Sequence, residues 1–485
     1  MKIKNYGYKK MYIDGQLVDA ISGERSNVVC PATGEVIAEI AKAGKEDAEK
    51  VLLAAEKGFK YWSALSLGER TAWMQKLKTA ILEKQEELRT AMVYEMGKTY
   101  GGGAEDIDRL VEALEWYPAA MQNMREEQIP DYENTHTHKM ISKPAGVVVA
   151  YLAWNFPILN IGYKIGPVLA SGCSLIIKPS EISPLSAYLI GEILNDINFP
   201  PGVVNIIEGP SEIVAKTMTS SKIPAVITMI GSTETAKKII AESTTSIKRF
   251  GLELGGNAPF IVFDDADFDK ALDLAIALRF GNSGQVCVAA NRIFVHKSIY
   301  GKFVKAYAKK ASELKVGLGT KENPDVFMGP LASRKGRDRM LTLINDAVDK
   351  GATLEFGGEI PTDLPEGGNW LEPTVLSGVS TDMKVFKEEI FGPVAGIMSF
   401  ETDEEVLALA NDTEYGLASY IFTNNHQRIA RFTEELDFGE IQINGVKYAI
   451  YLPHGGFKES GIGHDCSHLA LEDYLVKKRV STAIF

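Results

Sequence analysis

Cysteine is scarce in this chain: Cys30, Cys173, Cys287 and Cys466 are the only four in 485 residues, too few and too scattered for a disulfide framework. That excludes a small stapled scaffold and points to a reducing, cytoplasmic setting. Long apolar runs are missing too. No stretch reaches the ~18 apolar residues of a membrane span, and the basic start MKIKNYGYKK is followed by no apolar core of a secretory signal. Nor is there a Lys/Arg stripe interleaved with aromatics, and the net charge is −12, so neither nucleic acid nor a membrane is an expected partner. The 20 prolines and 44 glycines are spread along the chain, which excludes collagenous and low-complexity segments.

Two nucleotide-binding signatures also fail. Met96-Gly97-Lys98-Thr99 ends like a phosphate-binding loop, but the position where that motif needs its first glycine is Met92. No strand-to-helix turn carries GxGxxG, so any dinucleotide must bind by another geometry. His464, Cys466 and His468 are close in sequence, yet no fourth ligand is near them. They read as a surface loop, and no metal is expected.

What is present is a chain with a 45 % hydrophobic content, enough for large cores, and a length that predicts roughly three domains. After a short β-like start, Glu46–Lys60 and Ser66–Glu95 carry apolar residues at helical spacing. The polar stretch Glu126–Gly146 reads either as a linker or as a protruding hairpin used in assembly. From Val147 onward short apolar strands alternate with helices: VVVAYL, Ser174–Lys178, Val203–Ile207, Ala225–Ile230 and Ile247–Leu252. The second half repeats the pattern with PFIVF, NRIFVH, PVAGIMSF, ASYIF and GEIQIN. Such alternation predicts doubly wound parallel sheets with ligands at the carboxyl ends of their strands. The apolar-alternating C-terminal tail calls for an edge-strand partner.

Three motifs carry chemistry. FGNSGQVC places Cys287 after a helix in a loop of small residues, where a substrate can reach the thiol. FGLELGGN sets Glu253 between two leucines, and partial desolvation raises such a carboxyl toward base duty. WNFP holds the Asn155 amide on a rigid aromatic and proline turn, where its NH2 can meet a developing oxyanion.

With KPSE at Lys178, GST at Gly231, EEIFGP at Glu388 and GGFKESG at Gly455, these motifs resemble the NAD(P)-dependent aldehyde dehydrogenase superfamily over essentially the whole chain. The resemblance implies an α/β fold with a Rossmann-type cofactor domain (residues 1–125 and 144–253), an α/β catalytic domain (254–458) and a small β oligomerisation element (126–143 and 464–485). It implies that Cys287 attacks the aldehyde, that Asn155 and the Cys287 N–H hold the oxyanion, and that Glu253 activates the water that hydrolyses the thioester. It also implies cofactor contacts from Trp154, Lys178, Ser180, Glu181, Gly231, Ser232, Leu254, Glu389 and Phe391. A carboxylate at Glu181 accepts ribose hydroxyls and repels a 2′-phosphate, which favours NAD, with NADP the alternative. Relatives of this kind are homodimers or homotetramers.

The details narrow the substrate. Cys287-Val288-Ala289 has no second cysteine for the redox switch of some succinic semialdehyde dehydrogenases, and the arginines that clamp the carboxylate in those enzymes are replaced by Tyr163 and Gly281. The ending GGFKESGIGHDCSHLALEDYL still resembles the semialdehyde and lactaldehyde group. A small polar or anionic aldehyde of the semialdehyde, lactaldehyde or sulfolactaldehyde type is therefore expected, with Tyr163, Lys164, His454 and His464 as candidate donors. The alternatives are a CoA-acylating dehydrogenase, whose branch lacks the base glutamate, and a non-catalytic NAD-binding structural protein.

Overall fold

The computed structural model describes residues 3–124 and 126–484. Its first large sheet is built on five parallel strands in the spatial order Arg249–Glu253, Pro224–Ile230, Val147–Tyr151, Ser174–Lys178 and Val204–Ile206. The earliest of these in sequence, Val147–Tyr151, lies in the centre, and the chain runs outward from it first to one side and then to the other. The order therefore reverses between Val147–Tyr151 and Pro224–Ile230, which opens a crevice at the carboxyl ends of those strands. Antiparallel strands close both margins: Gly461–Ile462 beside Arg249–Glu253, and Met11–Ile13 beside Val204–Ile206. Strand Val147–Tyr151 is buried along its whole length, as a sheet covered by helices on both faces requires.

The second sheet has seven strands, with Pro259–Val262 between Arg292–His296 and Ala418–Phe422. All its pairings are parallel except the outermost, Thr353–Phe356 with Thr374–Ser377, a pair with no counterpart in the sequence reading. The third sheet is small and antiparallel: Leu475–Ala483 lies along His136–Pro144 over nine residues, and Glu126–Ile129 pairs on the other side. The Glu126–Gly146 stretch is thus a hairpin rather than a linker. Of the C-terminal segment only 475–483 joins this sheet, because 464–474 turns inward beneath the first sheet and forms the helix Leu469–Asp473.

Two further readings change. The expected helix Ser66–Glu95 is two helices, Leu67–Glu83 and Gln85–Met96, hinged at Lys84 (φ −104°, ψ 6°). Neither glycine nor proline marks that hinge, and the break lets Leu77 and Ile81 on one side and Leu88 and Met92 on the other all reach the core. Met96-Gly97-Lys98-Thr99 is a helix-to-helix junction: Gly97 (φ 81°) ends one helix in the left-handed region and the Thr99 hydroxyl accepts from Gly102 N–H to start Tyr100–Gln122. Among the described residues no helix is long and apolar enough to cross a membrane.

That junction also fixes the site. Lys98 Nζ lies 2.5 Å from Asp106 Oδ2, both side chains being buried, and 3.4 Å from the centre of the Phe156 ring. Asp106 Oδ1 accepts from the N–H groups of Ile158 and Leu159, at 3.3 and 3.2 Å, in the first turn of the helix Pro157–Ser171. One carboxylate thus anchors the turn that carries Asn155 and neutralises a buried lysine. Asp106→Ala leaves Lys98 buried and unpaired and is expected to cost about 3–5 kcal/mol, read as a fall in unfolding temperature. Asp106→Asn, which keeps an acceptor for the helix, is expected to lose less.

Candidate active site

Cys287 follows the helix Phe268–Phe280 across a loop in which Asn282, Ser283 and Gly284 have φ of 51°, 57° and 70°. Two consecutive non-glycine residues in the left-handed region store about 1–3 kcal/mol each, so the loop holds this shape only because it is gripped. The buried Arg279 does much of the gripping: Nη2 donates to Gly284 O at 2.7 Å and Nη1 to Asn291 Oδ1 at 3.2 Å. Gln285 Oε1 accepts from Ala332 N–H at 3.0 Å, and Ser283 Oγ donates to Gly329 O at 2.9 Å. Below the cysteine, Tyr420 Oη donates to Val288 O at 2.6 Å and is itself bonded to Tyr448 Oη at 2.8 Å. Cys287 stays partly exposed, whereas the other three cysteines are buried.

Asn155 comes to this loop from the carboxyl end of the central strand Val147–Tyr151. Its Nδ2 donates to Gln285 O at 3.0 Å, and its own carbonyl accepts from Asn282 Nδ2 at 3.0 Å. A primary amide has two N–H bonds, so the bond to Gln285 uses only one of them. Glu253 is the last residue of Arg249–Glu253 and is buried, with no hydrogen-bond partner for either carboxyl oxygen among the described residues. Burial pushes its carboxyl well above the usual range; His454 and Lys164 pull it back, and Asp465 and Glu440 add to the rise. It is more deeply buried than a half-desolvated carboxyl, at 4 % exposure.

Two cavities meet at Cys287. One of about 500 Å³ is lined by Trp154, Gly231, Ser232, Glu389 and Phe391 among others, and lies at the crevice where the strand order reverses. The second, of about 410 Å³, is lined by Glu253, Tyr163, Tyr448, His454, Asn282 and Lys98 among others. Asn155, Ile230, Leu254 and Cys287 belong to both. The thiol therefore stands between two chambers, each within the size range of small-molecule sites.

The first chamber collects most of the residues expected to meet a cofactor. Ser232, which lines this chamber, caps the helix Thr233–Glu242, its hydroxyl accepting from Thr235 N–H at 3.3 Å. Trp154 and Phe391 meet edge to face at 5.4 Å. Glu389 accepts from Gly256 N–H at 2.9 Å, and burial pushes its carboxyl up to about 7. Lys178, Ser180 and Glu181 line neither chamber; Lys178 ends the neighbouring strand Ser174–Lys178, and Ser180 and Glu181 follow it. Burial lowers the Lys178 ammonium, and the surrounding carboxylates Glu208, Glu181 and Glu212 act in the opposite direction.

Of the candidate donors, Tyr163 and His454 line the second chamber, as does Gly281. Lys164 is turned away into a buried ion pair with Asp465 at 2.6 Å, and His464 is exposed. The segment expected as a surface loop is a correction: Asp465, Cys466 and Ser467 are buried, because the backbones of His454 and Asp465 bond each other at 2.7 and 2.8 Å and draw the segment inward. Two contributors escaped the sequence reading. Tyr448 lies in a stretch with no periodic signal, and Arg339 sits on an amphipathic helix where a cation reads as solvated surface. Arg339 in fact binds Ile390 O at 2.6 Å, Glu389 O at 2.8 Å and Glu388 Oε2 at 2.9 Å, which secures the loop carrying Glu389 and Phe391.

The Cys287 peptide and Gly256 are packed in close contact. A Cβ at Gly256 would lie 2.2 Å from the Cys287 carbonyl oxygen. Gly256→Ala must therefore displace the Cys287 backbone, and kcat is expected to fall by about 10²-fold, while circular dichroism shows the fold retained.

The chain is 36% identical over 477 residues to glutarate-semialdehyde dehydrogenase of Pseudomonas putida, covering 98% of both chains. It is 36% identical to the NADP(+) succinate-semialdehyde dehydrogenase of Escherichia coli, over 96% of this chain and 95% of that one. The structure of betaine aldehyde dehydrogenase from Staphylococcus aureus in complex with NAD+ superposes with a TM-score of 0.94 at 34% identity, over 98% of this chain and 94% of that one. The model of the aldehyde dehydrogenase family matches residues 17–480, and the chain belongs to that family.

Proposed function

We propose that this enzyme oxidises a small polar or anionic aldehyde to its carboxylic acid through a cysteine thioester, with NAD as the preferred cofactor. The observation that carries the reading is Cys287 at the junction of two chambers, with Asn155 at its side and a buried carboxyl, Glu253, in the substrate chamber. The first chamber fits a dinucleotide: it offers a capped helix N-terminus at Ser232, the buried Glu389 carboxyl as a ribose acceptor, and the Trp154 and Phe391 rings beside a planar base. The chemistry a nicotinamide dinucleotide supplies when bound there is acceptance of a hydride.

The protein's own groups do the rest. The Cys287 sulfur adds to the aldehyde carbon, and the resulting oxyanion takes hydrogen bonds from the Asn155 amide and the Cys287 N–H. After oxidation, Glu253 removes a proton from the water that attacks the thioester, and the acid leaves with the thiol regenerated. A base that burial holds above the ordinary carboxylate range is ionised only at higher pH, so the acid limb of kcat should lie above about pH 4.3. The carboxylates around Lys178 disfavour a 2′-phosphate, which supports NAD. Tyr163, Tyr448, Asn160, Asn282 and His454 give the substrate chamber hydroxyl, amide and imidazole groups where an arginine clamp is missing. The semialdehyde substrates named for the relatives are small and carry an anionic tail, which agrees with this size and polarity. We propose further that the free edge of Leu475–Ala483 joins subunits into a dimer or tetramer, which size-exclusion chromatography tests.

The assay is NADH formation with short aldehydes, with and without anionic groups. Cys287→Ala is expected to abolish it, by more than about 10³-fold. Glu253→Gln is expected to release about one NADH per site and then slow by ~10²–10⁴-fold, with its acid limb gone. Turnover that requires CoA would overturn the hydrolytic reading. A higher kcat/KM with NADP than with NAD, restored toward NAD by no change at Glu181, would overturn the cofactor assignment.

A further inference from the structure

The turn that carries Asn155 is held by three consecutive carbonyls. Ala153 O accepts from Asn160 Nδ2 at 3.1 Å, Trp154 O from Ser183 Oγ at 3.0 Å, and Asn155 O from Asn282 Nδ2 at 3.0 Å. Asn160 lies in the helix Pro157–Ser171 and Ser183 in the loop before the helix Leu185–Asp196, so the first two bonds stay within the unit built on the first sheet. The third crosses to the loop that carries Cys287. Asn282 Nδ2 also donates to Gln285 O at 3.4 Å, the same carbonyl that accepts from Asn155 Nδ2 at 3.0 Å. Asn155, Asn282 and Gln285 thus form a closed triangle of hydrogen bonds that ends two residues before the cysteine.

We propose that Asn282 is a positioning residue that sets the Asn155 amide in register with Cys287. This role rests on Asn155 serving the oxyanion, as proposed above, and Asn282 acts through Asn155 rather than on the substrate. With only the bond from its amide to Gln285 O, the Asn155 side chain would be tied to the cysteine loop at one point and could turn about it. Tying its main chain to the same loop adds a second point, which limits where the remaining N–H can be directed.

The residue type fits the task. Asn282 lies in the left-handed region, at φ 51° and ψ 32°, which asparagine adopts more readily than most other non-glycine residues. Both partners of its side chain are carbonyl oxygens, which only accept, so the amide nitrogen must face them. Its own carbonyl is occupied as well: Asn282 O accepts from Gln285 N–H and from Gln285 Nε2, both at 3.1 Å. Gln285 Oε1 in turn accepts from Ala332 N–H at 3.0 Å. Aspartate at this position keeps the shape but sets a carboxylate against two carbonyl oxygens, and glycine keeps the backbone conformation while removing the amide.

The test is a double-mutant cycle on kcat/KM for the best aldehyde of the panel above, with NAD at saturation. Asn155→Ala is expected to lose about 10²–10³-fold and Asn282→Gly ~10-fold or more, with the KM for NAD unchanged. Asn282→Asp should lose more than Asn282→Gly, and it decides the matter if the glycine variant does not fold. In the Asn155→Ala background either change at Asn282 should cost no more than ~2-fold, because the group it positions is gone. Iodoacetamide labelling of Cys287 in cofactor-free Asn282→Gly, read by mass spectrometry, should proceed at the wild-type rate. Losses that multiply in the double variant would overturn the proposal. So would a labelling rate that falls in step with kcat/KM, which would make the shape of the cysteine loop the cause, and so would an unchanged kcat/KM in both Asn282 variants. A wild type that reduces no cofactor with any aldehyde overturns the enzymatic reading and this role with it, whereas multiplying losses in an active enzyme overturn this role alone.

Discussion

Everything at this site depends on one close approach: the carbonyl of Cys287 occupies the space that a side chain at Gly256 would fill. The two residues come from different parts of the chain. Gly256 follows the last of the five parallel strands of the first sheet, and Cys287 follows a helix that packs on the second. Bringing them together places the thiol, the Glu253 carboxyl and the Asn155 amide around one point. The same contact sets the wall between the two chambers, because Leu254 and Cys287 line both. The GGFKESG segment seals it from outside. Ser460 O accepts from Leu254 N–H at 2.9 Å, Ser460 Oγ donates to Gly255 O at 2.7 Å, and Gly461–Ile462 pairs with the end of the Glu253 strand. Motifs more than two hundred positions apart in sequence are thus one piece of backbone hydrogen bonding.

Much of this was legible in the chain itself. Alternating short apolar runs and helical stretches identify parallel α/β sheets, and the strand ends, where loops must turn tightly, are where the small-residue motifs fall. Cys287, Glu253 and Asn155 stand out because each sits in a run of glycine, proline or aromatic residues that restricts where the side chain can go. Lys84 did not, since a hinge without glycine or proline is imposed by packing on both sides rather than by local preference. Arg339 and Tyr448 were equally silent: what they do depends on carbonyls and hydroxyls brought near by tertiary folding. The buried segment Asp465–Ser467 misled for the same reason, its polar composition being satisfied by Lys164 and by the His454 backbone rather than by water.

Buried charge is unusually concentrated here, and each pair has its own place. Lys98 with Asp106 anchors the turn before Asn155, Lys164 with Asp465 pins the C-terminal segment under the site, and His454 with Glu440 stands in the chamber wall. Removing charges from water costs several kcal/mol per ion, and an ion pair seldom exceeds what an apolar packing would give. Stability alone does not account for three such pairs around one cysteine. Their common effect is to fix the groups around Glu253, whose carboxyl oxygens have no hydrogen-bond partner among the described residues.

The same reasoning bears on the substrate. A cavity that clamps a carboxylate with arginines gains affinity from a strong, directional charge pair, but it must also hold that charge desolvated when empty. Here Tyr163 and Gly281 line the chamber, and its cationic groups are already matched, His454 by Glu440 and Lys98 by Asp106, beside hydroxyls, amides and the carboxyls of Glu105, Glu253 and Asp465. Such a wall distinguishes a polar tail from an apolar one through hydrogen bonds that an apolar substrate would leave unmade, a cost of about 1–3 kcal/mol for each buried group. On the function proposed above, selectivity in this chamber comes from excluding aldehydes that cannot satisfy these groups rather than from capturing one fixed charge.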